Sequence, residues 1–126
     1  MATYELDWPP TVNTYYRTVM FGKVPRQLLS KKARNFKEGV AAQLAGCDSI
    51  NGRLKVSIRL HAPTKRKYDI DNRVKAILDA LQGAKLFEDD EQIDSIYVVR
   101  GEVRPRNGTA IVTVEKIVDA SQEVRS

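Results

Sequence analysis

With 126 residues, 42% of them hydrophobic and 29% charged, the chain has the composition of a globular domain and the length for one core rather than two. No apolar run approaches the ~20 residues of a membrane-spanning helix, and Met1–Trp8 carries Glu5 and Asp7 without a basic stretch, so it does not read as a secretory signal. A formal net charge of +5 argues for a polyanionic partner, and a single cysteine, Cys47, cannot close an intrachain disulfide, so the expected setting is a reducing cytoplasm.

Taken in chain order, Tyr4, Leu6 and Trp8 alternate with polar residues and predict a first strand, stopped by Pro9-Pro10. Thr11–Leu29, with Gly22 and Pro25, has no clean period and is expected to form a long loop or a small hairpin arm. Ser30 is a favoured N-cap for a helix whose Ala33, Phe36, Val40, Ala41 and Leu44 share one face, with Gly46 as the stop. Leu54, Val56, Ile58 and Leu60 alternate strictly with Lys55, Ser57, Arg59 and His61, the clearest strand pattern in the chain. Ile70, Val74, Ile77, Leu78 and Leu81 recur at helical spacing and end near Gly83.

The last two β-branched runs, Ile93–Val103 and Thr109–Val118, are joined through Pro105-Arg106-Asn107-Gly108, where Asn-Gly predicts a tight hairpin turn. The expected class is therefore α+β, a single domain over residues 1–118 in the order βαβαββ, with two helices packed on one mixed sheet. Residues 119–126 are polar and expected to form a flexible tail.

Basic residues cluster in Lys31-Lys32-Ala33-Arg34, in Lys65-Arg66-Lys67 and from Arg100 to Arg106. One such cluster is ordinarily solvated surface. Three in a chain this short point to nucleic acid, because lysine and arginine release counterions from a phosphate backbone.

The chemistry gathers where the clearest strand hands over to the second helix, at Lys67-Tyr68-Asp69-Ile70-Asp71-Asn72-Arg73-Val74-Lys75. Asp69 and Asp71 stand two apart, so in extended or turning backbone their carboxylates can face one way. Paired hard oxygens suit Mg²⁺, which takes one or two carboxylates and keeps several waters. Lys75 lies one helical turn past Asp71 and can reach back to the same spot. The competing reading is that the aspartates cap a helix and that Asp71–Lys75 is an i, i+4 pair. A second acidic group, Glu88-Asp89-Asp90-Glu91, follows Phe87; it reaches the first pair only if the connection doubles back, and otherwise is a solvated turn.

Asp69-Ile70-Asp71-Asn72-Arg73-Val74-Lys75 followed by Phe87-Glu88-Asp89-Asp90-Glu91 resembles the D-x-D-N-x-x-K and later D-D signature of the RusA family of Holliday junction resolvases. Trp8-Pro9-Pro10, Asn13 and Tyr15-Tyr16-Arg17 resemble that family's opening, so the likeness runs from about Tyr4 to Glu115. The resemblance implies a metal-dependent endodeoxyribonuclease acting in recombination and repair, which resolves four-way junctions by paired symmetric nicks and leaves 5′-phosphates. Carried over residue by residue, the metal-binding aspartates are Asp69, Asp71 and Asp90, with Mg²⁺ as cofactor and no nucleotide. The essential lysine is Lys75, and Asp89 is the neighbour most easily confused with Asp90. One departure concerns substrate handling: where the family commonly has a basic residue before the first aspartate, this chain has Tyr68, and Lys67 or Arg66 is expected to take over that phosphate contact.

The expected DNA contacts are Lys65, Arg66, Lys67, Arg73, Arg17, Lys31 and Lys32. Trp8, Tyr15, Tyr16 and Phe21 can stack on unpaired bases, although Trp8 fits packing equally well. His61, the lone histidine, reads as structural or as a phosphate contact, because no nucleophile partners it. No glycine-rich phosphate cradle follows a strand. A homodimer is expected, since one chain offers one acidic group and a four-way junction requires two matched cuts. Two other classes remain: a nucleic-acid-binding module without catalysis, and a broader nuclease for flaps and forks.

Overall fold

A computed structural model of the chain describes residues 1–118; the expected tail, 119–126, lies outside the described residues. Six strands and two α-helices run in the order β1 (Ala2–Asp7), β2 (Tyr16–Phe21), β3 (Val24–Leu29), α1 (Lys31–Gln43), β4 (Leu54–His61), α2 (Val74–Gly83), β5 (Ile93–Arg100) and β6 (Thr109–Lys116). Four strands form a mixed sheet in the order β1-β6-β4-β5, and β2 and β3 form a separate two-stranded sheet. The α+β expectation therefore holds for the main body.

Alternation in β4 decides where the core lies. Leu54, Val56, Ile58 and Leu60 are fully buried, while Lys55, Ser57 and Arg59 face the other way. Val112, Val114 and Ala110 of β6 join them from the neighbouring strand, with Ile58 opposite Val112 and Val56 opposite Val114. Both helices cover this face. Ser30 caps α1, its side chain accepting from the Ala33 N–H at 3.1 Å, which contributes about 1 kcal/mol. Ala33, Phe36, Val40 and Leu44 are buried, whereas Ala41, expected on the same face, is exposed. From α2 the core receives Ala76, Ile77, Ala80 and Leu81. Cys47 is exposed and free.

The expected hairpin between the last two strands does not form. β5 pairs in parallel with β4, and β6 pairs antiparallel with the opposite edge of β4. The linking segment wraps the end of β4 instead: Gly101 N–H donates to Leu60 O and Arg104 N–H to Ala62 O, so the chain passes from one edge to the other. The Asn107-Gly108 turn exists, with Gly108 at φ +68, but it reverses the linker rather than joining two paired strands. The physical reason is that β4, the most buried strand, has to satisfy backbone donors and acceptors along both edges, and this crossover supplies a partner for each.

The Thr11–Leu29 segment resolves into a short 3-10 turn, Val12–Thr14, and the β2–β3 hairpin, which turns at Gly22 (φ +63). Tyr16, Met20, Phe21, Val24 and Leu28 are exposed along it.

Candidate active site

Ile70–Arg73 forms a 3-10 turn that runs directly into α2, and Asp69 is the residue before it. Asp69 has extended backbone (φ −90, ψ 130) but makes no capping bond, and α2 begins after Arg73 without a side-chain cap. Asp69 and Asp71 therefore do not play the helix-capping part that would explain them structurally. Among the described residues neither forms an ion pair within 4.0 Å. The Asn72 amide lies 3.5 Å from Asp69 Oδ2, the outer limit of a hydrogen bond, and leans that carboxylate toward the turn.

Lys75 does not reach back to Asp71. Its ammonium turns along the helix to Asp79 Oδ2, 3.5 Å away. The same Asp79 oxygen accepts from the hydroxyl of Tyr15 at 2.8 Å, and Tyr15 is 1% exposed, so Asp79 is fixed between a buried phenol and the lysine. Burial first, and then this hydrogen bond, raises the Tyr15 hydroxyl above its ordinary pKa. Tyr15 is thus not a base-stacking surface, as its place in the motif had allowed, but part of the support for Lys75.

The acidic loop folds back against α2, and no hydrogen bond or ion pair among the described residues joins it to Asp69 or Asp71. Leu86 and Phe87 are fully buried and anchor it, and a 3-10 turn at Asp90–Gln92 then packs on α2, the Asp90 N–H donating to Gln82 Oε1 at 3.2 Å. Three of its neighbours are occupied structurally. Asp89 caps the turn by accepting from the Glu91 N–H at 3.0 Å, and Gln92 accepts from the Glu88 and Asp89 N–H groups. Glu91 is bound by Arg53, which also holds Asp94. Asp90 carries no such duty. Its carboxyl is pushed above the usual carboxylate range by partial desolvation, by the close Asp89 carboxyl and by the charges of Asp89 and Asp79, with Lys75 opposing. Asp90 is thereby separated from Asp89: Asp89 caps the turn, whereas Asp90 caps nothing and forms no ion pair within 4.0 Å among the described residues, its carboxyl instead sharing a hydrogen bond with that of Asp89.

Lys75 and Asp79 are paired, and Asp90 is near enough for both charges to act on it; Asp69 and Asp71 stand on the turn before α2 and, among the described residues, make no hydrogen bond or ion pair with these three. Among the described residues no three His, Cys, Asp or Glu side chains converge as a metal cage. Asp69, Asp71 and Asp90 offer carboxylate oxygen alone, the donor type of a hydrated Mg²⁺ rather than of a zinc site, but the described structure does not draw the three into one cage. Sequence reasoning missed Asp79. Its spacing from Lys75 carried a signal, since i+4 is ion-pair distance on a helix, but the tie to Tyr15, 64 residues earlier, did not.

The expected DNA contacts divide into two kinds. Lys65, Arg66 and Lys67 are exposed on the loop before Tyr68, Lys31 and Lys32 at the start of α1, and Arg17 on β2. Arg73 differs: its guanidinium lies over the Trp8 ring at 4.6 Å and donates to Pro9 O, and burial lowers its pKa from the ordinary value. The position before Asp69 also gains a cation from an unexpected source, Arg100, whose guanidinium lies 4.3 Å over the Tyr68 ring. His61 is structural: it is 3% exposed, with Nδ1 2.8 Å from Glu102 O. No helix among the described residues is long and apolar enough to cross a membrane.

The family model for endodeoxyribonuclease RusA matches residues 7–115. A crossover junction endodeoxyribonuclease of Enterobacteria phage HK97 is 33% identical over 119 residues, covering 90% of this chain and 96% of that protein. The protein of the same description from Enterobacteria phage 82 is 34% identical over 105 residues, 79% of this chain and 84% of its own. Its Escherichia coli counterpart is 33% identical over the same length and shares.

Proposed function

This chain belongs to the RusA family of endodeoxyribonucleases, and we propose that it resolves four-way DNA junctions by Mg²⁺-dependent, paired and symmetric nicks. The observation that supports this most is a division of labour among the acids: Asp89, Glu91 and Asp94 each cap a turn or pair with Arg53, while Asp69, Asp71 and Asp90 do neither. Other surface acids such as Asp7, Glu38 and Asp48 are also unpaired among the described residues, but Asp69, Asp71 and Asp90 stand, within the stretch the family model covers, in the motif that resembles the family's, on a chain of net charge +5.

Asp69, Asp71 and Asp90 would hold the metal against the scissile phosphate, with Asn72 steering Asp69. Mg²⁺ held there would supply Lewis-acid polarisation of the phosphate and a lowered pKa for attacking water. Lys75 faces the negative charge that builds on the pentacovalent phosphorus and stabilises it. Asp79, tied to Tyr15, is a positioning residue that restricts where the Lys75 ammonium can go. In-line attack of water breaks the bond to the 3′ oxygen, leaving a 5′-phosphate and a 3′-hydroxyl. Lys65, Arg66, Lys67, Lys31, Lys32 and Arg17 hold the arms through their phosphates.

A junction, a fork and a linear duplex of equal length, assayed together with and without Mg²⁺, test this reading. The junction is expected to be cut in two opposed strands and the linear duplex left intact. Equal cutting of fork and junction would make the chain a broader branched-DNA nuclease, and a shifted but uncut junction would make it a binding module.

The assembly we propose is a homodimer. One chain carries one Asp69–Asp71–Asp90 group, so a matched pair of nicks in a single encounter requires two chains, and a C₂ pair sets two sites symmetrically about the branch. The β2–β3 hairpin, with Met20, Phe21 and Val24 more than half exposed, supports this as a surface that lacks a partner. Light scattering during size exclusion is expected to report about twice the 14.2 kDa chain mass. A monomer that still resolves junctions by paired nicks would overturn it.

A further inference from the structure

Resting on the reading that this chain cuts branched DNA, we propose that Trp8, Tyr68, Arg73 and Arg100 form a nucleobase-binding site. It takes one unstacked base from beside the phosphate that is cut.

Four separate stretches of chain converge here: the end of β1, the loop after β4, the 3-10 turn and the end of β5. The Trp8 and Tyr68 rings meet edge to face, centroids 5.4 Å apart and planes at 86°. The Arg73 guanidinium lies 4.6 Å over Trp8 and 5.8 Å from Tyr68. Arg100 covers Tyr68 at 4.3 Å and donates to its backbone carbonyl. A guanidinium stacked on an aromatic ring presents its outer plane, and the ring its remaining face, as surfaces on which an unpaired base stacks.

The surrounding space is shaped for a ligand. Three neighbouring cavities meet at the cluster. One of about 540 Å³ is walled by Trp8, Pro9, Pro10 and Phe36, with Lys32 and Arg73 at its edge. A second, of about 560 Å³, lies among Trp8, Tyr68, Arg73, Arg66 and Lys67. The third, of about 330 Å³, is lined by Asn13, Tyr68, Arg73 and Asp69. These volumes are in the range of small-molecule sites, roughly 300–1,000 Å³.

Two polar atoms point the same way. Tyr68 Oη and Arg73 Nε are buried and have no hydrogen-bond partner among the described residues, although Arg73 already gives one N–H to Pro9 O. Buried donors are nearly always satisfied, so two orphans in one cluster mark a place where a small rotation of Tyr68 or Arg73 toward an incoming acceptor is rewarded. A base edge carries the carbonyl and ring-nitrogen acceptors they lack. A bare phosphate would find its charge partners in Lys32 and Lys67 but would gain nothing from Trp8, Pro9, Pro10 and Phe36. The position is also correct for the chemistry: Asp69 follows Tyr68 in the chain and lines the same cavity, so a base seated on Tyr68 leaves its own phosphodiester beside a proposed metal-holding carboxylate.

The test is a thermodynamic cycle between protein and DNA, read as junction affinity with EDTA present so that nothing is cut. Junctions carrying a single abasic residue, moved one position at a time across the cut, are bound by the unsubstituted chain and by Tyr68→Leu. At one position the abasic residue is expected to weaken binding by roughly 5- to 150-fold in the unsubstituted chain, the worth of one stacked base. In Tyr68→Leu that penalty should disappear, and in Tyr68→Phe, which loses only the hydroxyl, most of it should remain. A penalty of equal size in the unsubstituted chain and in Tyr68→Leu overturns the proposal. So does the absence of any sensitive position in the unsubstituted chain, which is decisive even if Tyr68→Leu fails to fold. Because cleavage is not read, a chain that binds junctions without cutting them defeats the nuclease reading and leaves this cycle interpretable.

Discussion

Asp71→Asn is expected to bind a four-way junction at least as tightly as the unsubstituted chain while cutting it roughly 100- to 1,000-fold more slowly, the usual cost of removing one group that acts on transition-state charge. Asp71 lies exposed in the turn before α2 and caps nothing, so replacing its carboxylate by an isosteric amide disturbs no hydrogen bond found among the described residues. The fold should therefore survive intact, which circular dichroism would verify. Two effects of the change run in opposite directions. One carboxylate is lost from the set proposed to hold Mg²⁺, and one negative charge is lost from a surface that has to approach phosphate. The first slows the chemistry and the second helps binding. Single-turnover cleavage beside gel-shift affinity separates them; near-normal Mg²⁺-dependent cutting by the pure variant would remove Asp71 from the site.

Lys75→Ala should separate the same two quantities by a different route. An exposed lysine that merely touches a phosphate contributes up to about 1 kcal/mol, or about fivefold in affinity. A lysine that meets charge developing on the transferred phosphorus contributes to the rate instead, and its removal is expected to slow cleavage by roughly 100-fold or more with affinity changed by less than about fivefold. The second is expected because Lys75, although exposed, is tethered rather than free. Asp79 holds it at 3.5 Å, the buried Tyr15 hydroxyl holds Asp79 at 2.8 Å, and Asp90 lies close enough for its charge to be felt. A lysine tethered to an anchored aspartate samples fewer positions than a free one, which suits a role at one point along a reaction path. If rate and affinity fall together by the same factor, Lys75 is a phosphate contact and no more.

Much of this protein could be read locally. The β4 alternation, the Ser30 cap, the buried faces of α1 and α2 and the Asp69–Lys75 motif all depend on residues within a few positions of one another, where side-chain period and backbone preference decide the outcome. The family, too, was legible from that motif and from the acidic pair at Asp89-Asp90.

Pairing and partnership were not legible. Asn107-Gly108 predicts a hairpin wherever it stands between two strand-like runs, but β4 needed a neighbour on each edge, and the ladder along its whole length outweighed one favourable turn. Asp89 and Asp90 look interchangeable in sequence; a capping bond to Glu91 and the packing of the loop on α2 separated them. Lys75 was equally placed to face Asp71 or Asp79; it pairs with Asp79, which Tyr15, just before the hairpin arm, holds in place. Trp8, Tyr68, Arg73 and Arg100 are spread over more than ninety residues of chain, and only the closing of the sheet brought them into one cluster. Local period determined the elements and the motif, and contacts distant in sequence determined which side chains stand free to act.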